Sequence, residues 1–349
     1  MDINKMDFEK RMHHITRNTQ EITTLEELRE MLRKKEEKNE LPTVYLGTAI
    51  TGRPHIGYYV WVLKLADFLN AGFKVKLLLA DLHGALDNTP WELLEKRFKY
   101  YSAVIPLMFE SIGADIGNFE IVKGSDFQFD KKYFFDVLKF STLASVHDCR
   151  KAGSEVVKQD ENPKLSGLIY PMMQALDEQY LGVDIQYGGI DQRKILMFAR
   201  EYLPKLGYES RVEVMTPLIP GLVGKKMSAS DPKSKIDLLD DEGSVNEKIR
   251  AAYCEEGIIE ENGLLAFLKY VVMTIKQDKG ELFVIERPEK WGGNTSFRTY
   301  EEIEKAYAEK QLHPADLKNA LAKEINHLLA PFRHRSKELN ELSKWAYEN

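Results

Sequence analysis

Three stretches of the chain carry side chains that could act on a small polar substrate. The first is the turn Pro54-His55-Ile-Gly57, which follows a short apolar run and precedes a helical pattern. A loop that leaves a strand and opens a helix presents backbone N–H groups and the positive end of the helix dipole, and both favour phosphate. An imidazole at His55 could donate to that phosphate, and Gly57 would let a nucleotide lie against the helix. A structural turn is the alternative, because strings of four residues recur by chance.

The second stretch spaces three polar side chains, Tyr170, Gln174 and Asp177, four and three residues apart. This spacing puts them on one face of a helix. Burying such a face is costly unless its groups are satisfied, so an exposed stripe is the alternative to a binding site. The apolar run that follows, with two glycines ahead of Gln192, favours a site between strand ends, where open α/β sheets bind ligands.

The third stretch, residues 224–235, combines lysines and serines with little apolar content. Lys226, Ser228 and Ser230 could therefore form a mobile clamp in which the lysine is a point charge for a leaving pyrophosphate. Taken alone, such a segment is also typical of a solvated loop. Residues 141–166 also have two possible interpretations, because their polar groups suit either contacts with a partner or a solvated pair of helices.

The elements around the first turn predict how it is positioned. Residues 43–49 form a short apolar run, residues 58–69 place apolar side chains at helical spacing, and residues 73–80 are almost continuously apolar. This order is typical of a strand–helix–strand unit with buried parallel strands and a right-handed crossover. We therefore predict an α/β domain over residues 41–238, preceded by an N-terminal helical segment over residues 1–40.

Beyond about residue 240 the sequence changes to successive helical patterns, with Trp291 on a turn between two of them. We predict helices at 245–253, 264–275, 300–310 and 314–329. Residues 239–349 should therefore form a small helical domain.

The composition is that of an ordinary globular chain of two domains, with 349 residues, 43% hydrophobic residues and a formal charge of −6. That charge argues against a general nucleic-acid coat protein, but it allows a local basic face. No apolar stretch approaches a membrane span and no signal peptide is visible, so we expect no membrane partner. The two cysteines match no zinc spacing. We expect a reduced, cytoplasmic compartment and no protein-bound metal.

In their order along the chain, these stretches resemble the class I aminoacyl-tRNA synthetases. The His55 turn is similar to the HIGH signature of that class, and Lys226-Met-Ser-Ala-Ser230 is similar to its mobile loop. Further segments resemble the tyrosyl-tRNA synthetase family of the eukaryotic and archaeal type. They are Tyr45-Leu-Gly47-Thr, Ala80-Asp81-Leu-His83, Tyr170-Pro-x-x-Gln174-x-x-Asp177, Gly188-Gly-Ile-Asp-Gln192-Arg-Lys, Lys235-Ile-Asp-Leu-Leu-Asp240, Trp291-Gly-Gly-Asn and Leu312-His313-Pro-x-Asp316.

The resemblance implies a Rossmann-like parallel-sheet catalytic domain with a connecting insertion at about 115–166 that forms a homodimer interface. An all-α anticodon-binding domain should follow it. The implied reaction activates L-tyrosine with ATP to tyrosyl-adenylate, releases pyrophosphate, and then transfers tyrosine to the 3′ end of tRNA(Tyr). Mg²⁺ is implied only as the companion of ATP. Neither step demands a strong protein base, because the tyrosine carboxylate is already ionised and the protein supplies positioning and charge stabilisation.

The roles implied by the resemblance fall into three groups. The catalytic and ATP-binding residues would be Gly47, His55, Gly57, Lys226, Ser228 and Ser230. The tyrosine-binding residues would be Tyr45 and Asp177 at the phenol, and Tyr170, Gln174 and Gln192 around the α-ammonium. The tRNA-binding residues would be Trp291 and Asp316 at the first anticodon base, with His313 beside them, and Lys151, Arg193 and Lys194 toward the acceptor end.

Two positions depart from the class pattern, because Ala229 replaces the second lysine of the loop and Tyr58 replaces the second histidine of the turn. Three other functions remain as alternatives. A tryptophanyl-tRNA synthetase would share the architecture, but the pair Tyr45 and Asp177 favours tyrosine. A catalytically idle RNA-binding protein would not need His55 and Lys226. A nucleotidyltransferase that never meets tRNA would not need the exposed indole of Trp291.

Overall fold

The computed structural model describes residues 7–157, 164–221 and 235–348. The chain divides into two compact units. The first comprises Met1–Thr51, Lys64–Ser102 and Asp115–Leu218, and the second comprises Gly52–Leu63, Ala103–Ala114 and Ile219–Asn349.

Eight strands are present among the described residues: β1 Glu21–Thr23, β2 Thr43–Ala49, β3 Lys74–Ala80, β4 Phe119–Lys123, β5 Ile185–Gly189, β6 Val212–Thr216, β7 Phe283–Ile285 and β8 Thr295–Phe297. The helices of the first part of the chain are α1 Phe8–Thr16, α2 Leu25–Glu37, α3 Tyr59–Asn70, α4 Asp81–Leu86, α5 Leu94–Ile112, α6 Ser125–Gln128, α7 Lys131–Leu143, α8 Val146–Gly153, α9 Ser166–Tyr180 and α10 Arg193–Tyr202. They are followed by α11 Glu242–Ala251, α12 Gly263–Phe267, α13 Met273–Lys279, α14 Tyr300–Ala308, α15 Pro314–Leu328, α16 Ala330–His334 and α17 Ser336–Tyr347.

The first unit is built on one six-stranded sheet with the order β1-β6-β5-β2-β3-β4. All neighbouring strands are parallel except β1, which runs antiparallel to β6. The chain moves outward from β2 to β4 and then returns to β5 on the other side of β2. The strand order therefore reverses between β2 and β5, and the crevice at such a reversal is where open α/β sheets bind ligands. The predicted α/β class with a parallel sheet is confirmed.

An apolar cluster on α7, α8, α9 and α10 fixes the helix that carries the predicted polar face. Phe140 of α7 stacks on Phe198 and Tyr202 of α10, with ring centroids 5.2 and 5.4 Å apart. Leu176 and Ala175 of α9 are fully buried in the same cluster. Burying an aromatic or leucine side chain is worth roughly 1.5–3 kcal/mol. The apolar side of α9 is therefore anchored, and its polar side is held toward the crevice.

The N-terminal segment contains one element that the helical pattern does not predict. Residues 21–23 form β1, whose Ile22 lies opposite Val214 of β6. Three residues are too few to show a period of two, and the strand exists because the edge of β6 offers it a partner. Helix α2 follows this strand directly, and the Thr24 side chain caps it by accepting the Glu27 N–H at 3.2 Å.

The C-terminal part of the second unit is helical, as the sequence predicts, with one addition. Strands β7 and β8 form an antiparallel hairpin, and Val284 lies opposite Ser296. Between them a short 3₁₀ turn, Glu289–Trp291, ends at Gly292, whose φ of +96° is open to glycine but costly for other residues. This hairpin presents Trp291. None of the helices in the described ranges is long and apolar enough to cross a membrane.

Candidate active site

A cavity of about 230 Å³ lies at the carboxyl ends of β2 and β3 in the first unit, a size that suits a ligand as small as an amino acid. It is lined by Tyr45, Gly47, Thr48, Ala49, Thr51, Leu78, Ala80, His83, Asp87, Val156, Tyr170, Gln174, Asp177 and Gln192. Five residues predicted to bind tyrosine and Gly47 are therefore brought to one cavity. The alternative of a solvent-exposed stripe on α9 is wrong.

The deep end of this cavity is formed by Tyr45 and Asp177, which are both almost completely buried. The Tyr45 hydroxyl donates to the backbone oxygen of Gln174 at 3.3 Å. Burial and the charge of Asp177 raise the pKa of Tyr45 well above its usual value, so the phenol keeps its proton. A hydroxyl and a carboxyl group therefore face a small cavity in a water-poor setting.

The two oxygens of Asp177 are in different situations. Oδ1 accepts hydrogen bonds from Gln128 Nε2 and from the Tyr133 hydroxyl, each at 2.8 Å. Oδ2 has no hydrogen-bond partner among the described residues. Burial raises the pKa of Asp177 to about 8, and the bonds from Gln128 and Tyr133 oppose that rise. A buried acceptor without a donor is costly, so a ligand hydroxyl that donates to Oδ2 would bind favourably.

His83 also lies at this end of the cavity, on α4. Its ring is 2% exposed, and Nε2 lies 3.9 Å from Asp177 Oδ2. Neither ring nitrogen makes a hydrogen bond of ordinary geometry within the described ranges, although a backbone group of Tyr170 interacts with the ring and opposes the fall of its pKa. Burial lowers the pKa of His83 to about 4, so the imidazole is neutral near pH 7. Its edge-to-face contact with Tyr170, with centroids 4.6 Å apart, fixes its ring plane.

The shallow end of the cavity carries Tyr170, Gln174 and Gln192. Gln174 Nε2 donates to Gln192 Oε1 at 3.2 Å, and both glutamines are half-buried. Gln174 comes from α9, whereas Gln192 comes from the 3₁₀ turn that follows β5. Amide and phenol oxygens at this rim are chemically able to accept from an ammonium group.

The His55 turn belongs to the second unit and has its own network. His55 Nδ1 accepts the backbone N–H of Gly57 at 3.1 Å, and the Ile56 N–H donates to Ile236 O at 3.0 Å. Burial, and then the charge of Lys235, lower the pKa of His55 to about 3. The imidazole is therefore neutral with its proton on Nε2, which makes it a donor for phosphate oxygen and not a cation. The loop residues Lys226, Ser228 and Ser230 lie outside the described residues.

Comparisons with known proteins show the family of the chain. The family model described as tRNA synthetases class I (W and Y) matches residues 34–330. The tyrosine–tRNA ligase of Haloarcula marismortui is 43% identical over 98% of this chain and 98% of its own. The chain belongs to the tyrosyl-tRNA synthetase family of class I.

Other relatives extend the comparison. The cytoplasmic tyrosine–tRNA ligase of Gallus gallus is 50% identical over 96% of this chain, which spans only 63% of that longer relative. The crystal structure of the tyrosyl-tRNA synthetase of Archaeoglobus fulgidus, complexed with L-tyrosine, is 40% identical, has a TM-score of 0.86, and covers 94% of this chain and 99% of its own.

The residues predicted to read the anticodon of a tRNA lie on two neighbouring parts of the second unit. Trp291 is 67% exposed at the tip of the β7–β8 hairpin. His313 caps α15 by accepting the Ala315 N–H at 3.1 Å, and Asp316 lies in the first turn of that helix. Arg287 connects the two parts, because it donates to Gly293 O at 3.2 Å and to Gln311 O at 3.4 Å.

The three basic candidates for the acceptor end of a tRNA lie in the first unit and differ in the contacts that they make within the protein. Arg193 makes a two-pronged ion pair with Glu21, at 2.7 and 2.9 Å. Lys194 donates to Ser154 at 2.9 Å and pairs with Glu155 at 2.8 Å. Lys151 on α8 is exposed.

Sequence reasoning did not assign a role to Tyr133, Gln128 or His83. His83 was visible only as the end of a family-like string, Ala80-Asp81-Leu-His83. Tyr133 stands beside two phenylalanines in a helical pattern, and nothing local indicates that its hydroxyl reaches α9. The informative signal is a polar residue on the buried side of a helix, and reading it requires the fold.

Proposed function

We propose that this chain is a tyrosine–tRNA ligase. It would activate L-tyrosine with ATP to tyrosyl-adenylate and then transfer the tyrosyl group to tRNA(Tyr). The observation that carries the proposal is the buried pair Tyr45 and Asp177, with Asp177 Oδ2 lacking a donor among the described residues. Such a pair suits a substrate phenol, which would donate to Asp177 Oδ2 and accept from the Tyr45 hydroxyl once that hydroxyl turns its proton away from Gln174 O.

In the first step the tyrosine carboxylate attacks the α-phosphorus of ATP, and pyrophosphate leaves. Tyr170, Gln174 and Gln192 would hold the α-ammonium, which positions the carboxylate for in-line attack. His55 would donate its Nε2–H to a phosphate, and Gly47 and Gly57 would leave room for the nucleotide. Lys226, Ser228 and Ser230 would bind the pyrophosphate as negative charge develops on it. ATP would enter together with Mg²⁺.

In the second step a ribose hydroxyl at the 3′ end of tRNA(Tyr) attacks the activated carbonyl, and AMP leaves. Trp291 would stack on the first anticodon base while Asp316 and His313 bind its edge, since an exposed indole is well suited to an unpaired base. Lys151, Arg193 and Lys194 would contact the acceptor end. On this proposal residues 41–238 carry catalysis, residues 239–349 bind the anticodon, and residues 1–40 are an N-terminal helical segment.

A homodimer forms part of the proposal, with the insertion at about 115–166 as its interface. The support is a group of large apolar side chains on and around α7 and α8 that are 44–71% exposed in the single chain: Phe129, Phe134, Phe135, Leu138, Leu143, Val146 and Leu165. A patch of this kind is unusual on a monomer. Sedimentation equilibrium of the wild-type chain and of Phe134→Asp tests this point, because the variant should shift toward the monomer mass.

We infer a cytoplasmic location from the relatives that carry this word in their names. A tryptophan-specific synthetase and an idle RNA-binding scaffold remain the alternatives that an assay must exclude. A tryptophan substrate could donate its indole N–H to Asp177 Oδ2, but it has no oxygen that could accept from the Tyr45 hydroxyl, so it is the pair, and not the carboxylate alone, that favours tyrosine.

The test is amino-acid-dependent exchange of pyrophosphate into ATP, run with each of the twenty amino acids separately. Exchange with tyrosine alone supports the proposal. Exchange with tryptophan would contradict the proposed substrate, and no exchange with any amino acid would contradict the enzyme. Aminoacylation of a tRNA(Tyr) transcript then tests the second step.

A further inference from the structure

The proposed recognition of the phenol depends on how one carboxylate is held. Asp177 Oδ1 receives both protein donors, Tyr133 and Gln128, at 2.8 Å. Asp177 Oδ2 receives none among the described residues, although the side chain is 1% exposed and lines the cavity. The donors come from α6 and α7, and the carboxylate comes from α9. The asymmetry is therefore set by the packing of three elements.

We propose that Tyr133, together with Gln128, is a positioning residue that holds Asp177 by Oδ1 so that Oδ2 is presented to the substrate, and that it thereby determines the discrimination of tyrosine from phenylalanine. This inference rests on the tyrosine specificity proposed above. Tyr133 itself does not line the cavity. It would act only through Asp177.

Apart from Tyr133 and Gln128, few neighbouring groups stabilise the charged form of Asp177. The groups around it are Tyr45 from β2, His83 from α4, Tyr133 from α7, and Tyr170 and Glu178 from its own helix. The tyrosines and His83 are neutral near pH 7, because burial raises the tyrosine pKa values and lowers that of His83. No lysine or arginine among the described residues acts on the pKa of Asp177. The stabilisation of the carboxylate therefore comes from the two donors.

The geometry also decides which way each donor points. The Tyr133 hydroxyl has one proton and two acceptors in range, Met173 O at 2.9 Å and Asp177 Oδ1 at 2.8 Å. Above its pKa of about 8 the Asp177 carboxylate is ionised and is the stronger acceptor, so the Tyr133 proton then goes to Asp177. The Gln128 amide must present its NH₂ to Oδ1, since the opposite orientation would bring two oxygens together. The Gln128 Oε1 atom lies 2.6 Å from the position that a Cβ atom on residue 124 would occupy. Only glycine at position 124 therefore leaves room for the Gln128 amide.

The test compares Tyr133→Phe with the wild-type full chain in tyrosine- and phenylalanine-dependent pyrophosphate exchange, from about pH 6 to about pH 9. A lost hydrogen bond to a buried charge corresponds to a change of roughly 10- to 200-fold. We expect the ratio of kcat/KM for tyrosine to that for phenylalanine to fall by about this factor, with the phenylalanine value unchanged. Loss of a donor also raises the pKa of Asp177, so the rise of the tyrosine kcat/KM with pH should move to higher pH.

Tyr180→Phe is the matched control. Its ring packs edge-on against Tyr133, with centroids 4.8 Å apart, but its hydroxyl donates to Asp136 Oδ2 at 2.8 Å. This variant loses a tyrosine–carboxylate bond of the same length in the same cluster, and it should keep both the ratio and the pH profile. If Tyr133→Phe does not fold, as judged by circular dichroism, Gln128→Leu removes the other donor and should give the same two changes.

The outcomes separate the inference from the proposed function. A wild-type chain that discriminates against phenylalanine, beside a folded Tyr133→Phe chain with the same ratio and the same pH profile, would overturn the inference and leave the proposed function intact. A wild-type chain that shows no exchange with tyrosine would contradict the proposed function, and the inference would fail with it.

Discussion

The deep end of the cavity and the Trp291 hairpin show two opposite ways to present a recognition group. At the cavity, Asp177 is 1% exposed, its Oδ1 is held by two donors, and its Oδ2 has no donor among the described residues. At the hairpin, Trp291 is 67% exposed on a turn that Arg287 holds by donating to the Gly293 backbone oxygen. Asp177 is buried and one of its oxygens still lacks a donor, whereas Trp291 is exposed and the protein already holds the turn that carries it.

This difference indicates how strict each contact can be. A buried acceptor without a donor penalises every ligand that cannot supply one, so it can reject a close analogue that differs by a single hydroxyl. Tyrosyl-tRNA synthetases are themselves the standard example of this principle. An exposed ring gains from stacking on any base, so it contributes affinity while the edge contacts of neighbours such as Asp316 must supply the choice.

The largest effect is expected for Asp177→Ala. The variant removes the carboxylate that accepts from the phenol and leaves the Tyr133 and Gln128 donors without their acceptor. A hydrogen bond to a buried charge corresponds to roughly 10- to 200-fold. We expect kcat/KM for tyrosine to fall by about 100-fold while the KM for ATP stays within about 2-fold, as measured by pyrophosphate exchange.

Asp136→Ala is the matched control for that change. Asp136 is a second buried carboxylate with two tyrosine donors, Tyr180 at 2.8 Å and Tyr208, but it does not line the cavity. Its loss should lower the melting temperature and leave the preference for tyrosine over phenylalanine intact. Equal tyrosine-to-phenylalanine ratios in Asp177→Ala and wild type would contradict the role of Asp177.

The second prediction concerns pH. Burial raises the pKa of Asp177 to about 8, so below that pH the carboxyl is increasingly protonated and Oδ2 is lost as a charged acceptor. The kcat/KM for tyrosine should therefore rise by up to about 10-fold per pH unit between about pH 6 and about pH 8, and then level off. His55, with a pKa of about 3, and His83, with a pKa of about 4, stay neutral throughout this range.

Phenylalanine provides the control for the pH profile, because it has no phenol to place at Oδ2. Its kcat/KM should be nearly flat over the same range. Parallel profiles for the two amino acids would mean that the titrating group is elsewhere, for example Glu178, which is adjacent to Asp177 in sequence and whose pKa burial raises to about 8.

The same contrast explains what the sequence could predict. The strand–helix–strand unit at 43–80 was predictable because its signals are local: apolar runs for the strands and helical spacing between them. Tyr45, Asp177 and Trp291 were recognisable because each stands in a family-like string. Exposure could not be read from those strings, and the face of α9 could have been a surface stripe until the packing of α7 and α10 on its apolar side was known.

Two features were beyond the sequence for physical reasons. The donors to Asp177 lie 44 and 49 residues earlier in the chain, and their meeting depends on the packing of α6 and α7 against α9. Strand β1 has only three residues, and its conformation is imposed by the edge of β6. In both cases a tertiary contact decides the structure, and no local pattern encodes it.

The third prediction concerns Trp291, the exposed recognition group. Trp291→Ala should raise the KM for tRNA(Tyr) in aminoacylation by about 10-fold, because stacking of one base is worth roughly 1–3 kcal/mol. Pyrophosphate exchange, which needs no tRNA, should be unchanged. Trp291→Phe should keep most of the affinity. Trp91→Ala is the matched control, since that indole is 65% exposed on a turn of the first unit, and a similar loss there would show that exposure alone explains the effect.

The smallest effect is expected for Arg193→Ala. Arg193 is implied at the acceptor end, but both prongs of its guanidinium are already engaged by Glu21, at 2.7 and 2.9 Å. An exposed ion pair contributes only about 0–1 kcal/mol, so a tRNA phosphate would have to replace Glu21 for little net gain. We expect aminoacylation kcat/KM for tRNA(Tyr) to fall by about 3-fold or less near 0.15 M salt.

Glu21→Ala, which releases the guanidinium, should raise that value slightly in a salt-dependent manner. A loss above about 10-fold in Arg193→Ala, with normal pyrophosphate exchange, would instead mean that the guanidinium leaves Glu21 for the tRNA. Arg193 would then belong with Asp177, as a group whose partner is supplied by the substrate.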